Sequence, residues 1–236
     1  AASIDKVDYE LTYVEYSDRE ANCTGDECTE VKIILPQLEG ADSLISAKIN
    51  QSIEDQYRQL IKSRLPEPQS TGSWASLAAS FIEGYELFKM EFPDDPTAWY
   101  LYLDGGESQI VGDSVLTAVV DDSEFMGGAH GNTATLVESY RLENGLPIDF
   151  EERYGEKLKQ LAEEKFRAHH GIPVEEPLND AGFIFPEVGF ILPDNMGYSS
   201  KGLMLIYNPY EVAPYSTGAT ILTIPYEELK TLKEAV

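Results

Sequence analysis

Basic residues are scarce: 17 Lys and Arg stand against 42 Asp and Glu, a formal net charge of −25 over 236 residues. A surface of that sign repels phosphate backbones and anionic lipid, which argues against nucleic-acid binding and charge-driven membrane attachment. Long apolar runs are missing as well. No stretch approaches the roughly 18 consecutive apolar residues that span a bilayer, so no transmembrane segment is expected. Histidine is limited to His130, His169 and His170. The glycine spacings of phosphate-binding loops do not occur, and neither does the G-x-S-x-G of a nucleophile elbow. The acid pairs Asp94-Asp95, Asp121-Asp122 and Glu151-Glu152 do not follow the spacing of a calcium loop. No metal and no cofactor is expected. A glycosidase needs two carboxyl groups, but with so many acids the sequence selects no pair.

Only two cysteines occur, Cys23 and Cys28. Two cysteines without a nearby histidine pair cannot complete a tetrahedral zinc site, and their spacing is not that of a redox motif. The intervening Thr24-Gly25-Asp26-Glu27 is turn-like. A structural disulfide is expected, with free thiols as the alternative; by chain entropy so small a loop contributes at most roughly 2–3 kcal/mol. A disulfide implies an oxidising compartment, the periplasm or cell exterior. The acid excess attracts a cationic partner or serves solubility.

Against these absences stands an ordinary share of hydrophobic residues, 42%, enough in a chain this long to bury a core. Residues 9–16 alternate as a strand, and 29–35 form a second, ended by Pro36. Ile45, Ile49, Ile53, Tyr57 and Leu60 then recur at helical spacing, predicting a helix over 42–64 capped by Asp42 or Ser43, with Pro66 and Pro68 beyond it. Residues 70–80 read as a loop or short helix, and 85–92 alternate like a strand. Further strands are expected over 98–103, 111–120 and 133–142, with turns at Gly105-Gly106 and Asn144-Gly145. A second helix over 149–170 carries Tyr154, Leu158, Leu161 and Phe166 and stops at Gly171 and Pro173. Strands over 190–192, 202–207 and 220–224 follow, then a short terminal helix or coil. Without a regular βαβα rhythm, the fold class is α+β: two parts, mostly antiparallel sheets, each covered by one main helix. The parts are placed at 1–145 and 146–236.

Two motifs carry candidate chemistry. In Phe125-Met126-Gly127-Gly128-Ala129-His130-Gly131, paired glycines beside a histidine can bring backbone N–H groups close to a ligand; a tight connection with a structural histidine is the plainer reading. In Tyr207-Asn208-Pro209-Tyr210-Glu211-Val212-Ala213-Pro214-Tyr215, tyrosines and prolines make a rigid aromatic loop suited to a binding surface, or to packing on its own sheet. The candidate binding residues are Gly127, Gly128, His130, Tyr207, Asn208, Tyr210, Glu211 and Tyr215, with both loops expected to line one site. His169 and His170 point about 100° apart on a helix and read as surface capping, not as metal ligands.

These two motifs, the Asn144-Gly145 turn and the helix after it resemble the PdaC/RsiV-like extracytoplasmic domain family over nearly the whole chain. The resemblance implies a front part like the subdomain that precedes the catalytic domain in some peptidoglycan deacetylases. The back part looks like its companion. The combined unit resembles the outer domain of an anti-sigma factor that senses lysozyme. The metal-binding His and Asp motifs of the deacetylase have no counterpart here, so that activity does not carry over. The sigma-binding segment, membrane helix and lipobox cysteine have none either. The start Ala1-Ala2-Ser3-Ile4-Asp5 reads as trimmed, and lipid anchoring would use a segment outside this chain. The expected function is a non-catalytic cell-envelope binding or sensing module for a protein or cell-wall glycan, a cationic muramidase being one sensible partner. The alternative is a cell-wall glycan hydrolase using His130 and a carboxylate such as Glu211.

Overall fold

The computed structural model describes residues 8–25, 28–40, 42–65, 72–94 and 97–233. The expectations placed on Ala1 to Asp5, Asp26, Glu27, Pro66 and Pro68 lie outside these residues. In chain order the elements are β1 (Tyr9–Arg19), β2 (Glu30–Gly40), α1 (Ser43–Lys62), α2 (Trp74–Glu91), β3 (Tyr100–Asp104), β4 (Gln109–Val111), β5 (Val115–Phe125) and β6 (Asn132–Arg141). There follow α3 (Phe150–Tyr154), α4 (Glu156–His170), β7 (Asn195–Tyr198), β8 (Gly202–Tyr207), β9 (Thr220–Pro225) and α5 (Tyr226–Lys233), with a 3-10 turn at Tyr215–Thr217. The chain divides into two compact units. Unit one comprises Ala1–Ser108 and Val119–Thr133; unit two comprises Gln109–Ala118 and Ala134–Val236. The α+β class holds in both.

In unit one, β1 and β2 form a long antiparallel ladder from Tyr9↔Gly40 to Arg19↔Glu30. β2 runs parallel to β3, and β3 antiparallel to the far half of β5. Helix α1 packs on β2. Ile49, Ile53, Tyr57 and Ile61 are fully buried, a 3- and 4-residue spacing that puts one apolar stripe on the sheet. Asp42 is the cap, its carboxylate accepting from the Leu44 and Ile45 N–H groups. The Asn50 side chain clasps both backbone groups of Leu38, at 2.7 and 3.0 Å. Pro36 does not end β2 as expected. The register with β3 stops at Ile34, so the proline stands where β2 has a strand partner, Tyr13, on one side only, and its missing N–H costs no ladder bond.

The strand expected over 85–92 is the second half of helix α2, which gives unit one a second helix. Trp74, Leu77, Ala78, Phe81 and Tyr85 are its buried face. Leu87 and Met90, which produced the apparent alternation, are 53% and 71% exposed. The helical period is legible only when the segment is read from Trp74.

In unit two, β4 pairs antiparallel with the near half of β5, and β7, β8 and β9 form a separate antiparallel sheet. The helix expected over 149–170 is broken at Gly155, whose φ of 63° separates α3 from α4. α4 packs on β9 and buries Leu158, Ala162 and Phe166 completely. The Phe166 ring lies 4.9–5.7 Å from those of Phe183, Phe185, Phe190 and Tyr207. No strand forms over 190–192. Phe190 is buried there by ring packing, which selects for a large apolar residue without a ladder. The turn at Asn144-Gly145 is present, with the Gly145 N–H bonded to Arg141 O at 2.8 Å.

Candidate functional site

The glycine motif belongs to unit one and joins β5 to β6. Gly127 and Gly128 have φ of 94° and 98°, a region costly to any residue with a Cβ. Gly131 is required for another reason. A Cβ there would stand 2.6 Å from the Tyr100 hydroxyl and 2.7 Å from Glu124 O, so the returning strand passes too close for a side chain. His130 is exposed, with Nδ1 2.8 Å from Gly131 O. Beneath the loop, the Trp99 ring packs at a tilt against those of Phe81, Tyr85 and Phe88, centroids 5.0–6.0 Å apart. The glycines are thus accounted for by the turn, and His130 stands at its surface.

The tyrosine motif belongs to unit two, between β8 and β9. Tyr207 is buried and its hydroxyl donates to Ile191 O at 2.7 Å. Asn208 accepts from Thr135 N–H at 2.8 Å and donates to Thr135 O at 3.0 Å, so an amide side chain extends the pairing of β6 by one residue. The Glu211 carboxylate accepts from Asn208 N–H at 2.6 Å. Loss of water raises its pKa above the ordinary carboxylate range, the Asn208 bond opposing this and Asp194 adding to it. Val212 and Ala213 are buried, and Val212 O accepts from Ile184 N–H at 2.8 Å. Tyr207, Asn208 and Glu211 therefore build the loop. Tyr210 and Tyr215 remain at its surface, ring centroids 5.5 Å apart. Tyr210 is 63% exposed and has a φ of 69°, a left-handed conformation uncommon for a bulky residue.

A third feature, also within unit two, was not visible in the sequence. A cleft of about 600 Å³ opens between the β4–β5 turn, α3, β7 and α5. Tyr154, Tyr198 and Tyr226 line it, with Arg153 and Lys230 as its charged members. The Tyr154 and Tyr198 hydroxyls are 2.6 Å apart, and the Tyr226 hydroxyl donates to Ser199 O at 2.6 Å. The Arg153 guanidinium lies 5.7 Å from the Tyr154 ring centroid. These residues are separated by up to 119 positions, from Val111 to Lys230, and no local motif links them. The one available signal was Arg153-Tyr154 ahead of a helix-breaking glycine.

Among the described residues no three His, Cys, Asp or Glu side chains are grouped to hold a metal. His170 lies at the end of α4 with Nε2 3.0 Å from the Thr220 hydroxyl. The cysteines form a Cys23–Cys28 disulfide. No helix of the described residues is long and apolar enough to cross a membrane.

The molecule is thus a two-part α+β protein with one surface motif in each unit. Residues 23–133 match the family model described as deacetylase PdaC, and residues 149–227 match a protein family of unknown function, DUF3298. Two solved structures share the fold. A DUF3298-family protein from Bacteroides fragilis aligns with a TM-score of 0.65 at 19% identity, covering 95% of this chain and 92% of its own. A DUF3298-family protein from Pseudomonas aeruginosa aligns at 0.61 and 17%, covering 95% and 94%. No curated protein matches significantly. Together these findings fit a PdaC/RsiV-like two-part domain.

Proposed function

We propose that the chain is a non-catalytic binding or sensing module of the bacterial cell envelope, working outside the cytoplasm, that docks a macromolecular partner through the Tyr210–Tyr215 loop. The disulfide and the PdaC match support the location. The observation that carries the docking role is Tyr210: an exposed aromatic held at positive φ on a loop anchored by Asn208, Glu211 and Val212. Strained backbone that the surroundings enforce, without burying the side chain, is a feature of functional positions. Rigid tyrosines give contact area at low entropic cost. The net charge of −25 favours a cationic partner. A hydrolytic role for His130 with Glu211 has less support, because the Glu211 carboxylate closes the turn on Asn208.

The test is titration of the protein with cationic muramidases, other basic proteins and soluble wall glycan, at low and physiological salt. Binding that weakens with salt and falls by roughly 30-fold or more in Tyr210→Ala/Tyr215→Ala, as for an interface hot spot, supports the reading. Absence of binding to every basic protein at low salt removes the cationic version. Binding untouched by the double variant moves the site elsewhere. Tyr210→Gly is the folding control: it relieves the positive φ and is expected to melt at or above the wild-type temperature while losing the partner.

A further inference from the structure

The cleft of unit two inverts the charge of the molecule. Acids outnumber bases 42 to 17 over the chain, yet none of the residues lining this cleft is acidic, and two are basic, Arg153 and Lys230. The two cations are not equivalent. Lys230 already pairs with Glu227, at 2.7 Å. Arg153 has no carboxylate within 4.0 Å among the described residues, and its guanidinium lies beside the Tyr154 ring. The Tyr154 and Tyr198 phenols bond this guanidinium and hold it in place; with five N–H donors it keeps others for a carboxylate, which it matches in geometry as well as sign.

The rest of the lining narrows the ligand. Val111, Val115 and Leu229 supply apolar wall, while Ser114 and Ser200 supply hydroxyls. Tyrosine rings offer flat faces to the C–H edges of a sugar and hydroxyls to its oxygens. The volume of about 600 Å³ is within the range of small-molecule sites. A polyanion is repelled by the surrounding −25 chain; a small ligand with one negative charge is repelled little.

We propose that this cleft binds a carboxylated monosaccharide unit, its carboxylate on Arg153 and its ring against the tyrosines. The site shares no residue with the Tyr210–Tyr215 loop, so either proposal survives the failure of the other. The ligand can be a free acidic sugar or the end of an acidic glycan, and the two have the same recognition chemistry.

The test is calorimetry and chemical-shift titration of the intact chain with glucuronate, glucose, inorganic phosphate and a glucuronate-terminated oligosaccharide. Glucuronate is expected to bind at least about tenfold more tightly than glucose, the effect of one charge-assisted pair, with shifts at the tyrosines of the cleft. Arg153→Gln is expected to erase that preference. Ser200→Phe, an exposed substitution that fills the cleft and leaves both cations in place, is expected to abolish binding with the melting temperature unchanged. Tighter binding of the oligosaccharide than of glucuronate identifies a glycan end as the source, and equal binding identifies the free sugar. Equal affinity for glucuronate and glucose, a preference for phosphate, or glucuronate binding that both variants leave intact would overturn the proposal.

Discussion

Where unit one places an arginine between two carboxylates, unit two places tyrosine hydroxyls against one another and against backbone carbonyls. Arg64, just past the end of α1, bonds Asp122 and Glu124 on β5. Asp122 is only 4% exposed, and its Oδ1 has no partner. In unit two, Tyr154 meets Tyr198, while Tyr207 and Tyr226 each donate to a carbonyl. Unit one has a phenol of the same kind in Tyr57, bonded to Ile34 O, but no ion trio of this burial appears among the described residues of unit two. The two devices respond differently to their surroundings. A buried charge is stable only with its counter-charge and senses pH. A buried phenol needs one acceptor, and burial pushes Tyr198 and Tyr207 further above their ordinary range, so both stay neutral through the physiological range.

The comparison breaks most sharply at Arg64. Arg64→Ala leaves two carboxylates beside each other in a mostly buried site and is expected to cost about 3–5 kcal/mol. Both tryptophans, Trp74 and Trp99, lie in unit one, so their emission during denaturation reports it alone. A loss under about 1 kcal/mol would mean that water already screens the trio. The phenol counterpart, Tyr198→Phe, is expected to cost only about 1 kcal/mol.

Acidity sharpens the contrast next. Asp122 has its pKa raised to about 6, by burial first, with Glu124 adding and Arg64 opposing. The folded state therefore holds this proton more tightly than the unfolded chain, where the carboxyl titrates near 3.8. The stabilisation it contributes is complete below about pH 4, falls as pH rises toward 6, and is gone above that. Wild type should lose up to about 3 kcal/mol relative to Asp122→Asn between pH 4 and 7, read as the difference in chemical midpoints. Parallel pH profiles for the two proteins would contradict it. Wild type and Tyr198→Phe should run parallel over the same interval.

Within unit two the loop itself is the next test. Asn208→Ala removes both bonds to Thr135 and leaves a half-buried N–H and carbonyl, at an expected cost of about 1–3 kcal/mol. Amide exchange at Thr135 should rise in step. An unchanged exchange rate would show that β6 does not depend on the clasp.

How much of this was legible follows the range of the interactions. The stripe Ile49, Ile53, Tyr57, Ile61 is written at one spacing in one segment, and Asp42 is one of the two cap candidates legible before α1. Strand β7, Asn195–Tyr198, was not: Asn-Met-Gly-Tyr has little strand propensity. Its Gly197 is fixed by the approach of Val137, Thr117 and Ser139, contacts that no window of sequence contains. The tyrosine motif was legible as a unit, but the sequence does not separate Tyr207 and Asn208, which build the loop, from Tyr210, which it presents. Arg64, Asp122 and Glu124 carry no local signal, because they meet only where the chain just past α1 comes beside β5.

Within unit one the smaller effect is expected from the covalent link, which at first sight is its strongest. Cys23 and Cys28 are separated by 5 positions, so the bond removes little freedom from the unfolded chain, about 2 kcal/mol by chain entropy, the low end of the 2–3 kcal/mol ceiling. The folded state does not need the bond to hold the ends of the loop. The β1–β2 ladder is paired as far as Arg19↔Glu30, and Glu20 N–H donates to Thr29 O at 2.9 Å, which already brings the ends of the loop together. Reduction, or Cys23→Ser/Cys28→Ser, is therefore expected to lower the Trp-monitored melting temperature by only a few degrees, well short of Arg64→Ala. Loss of native Trp emission on reduction would reverse that order: the hairpin would then depend on its link, and the ion trio would matter less to unit one than the disulfide.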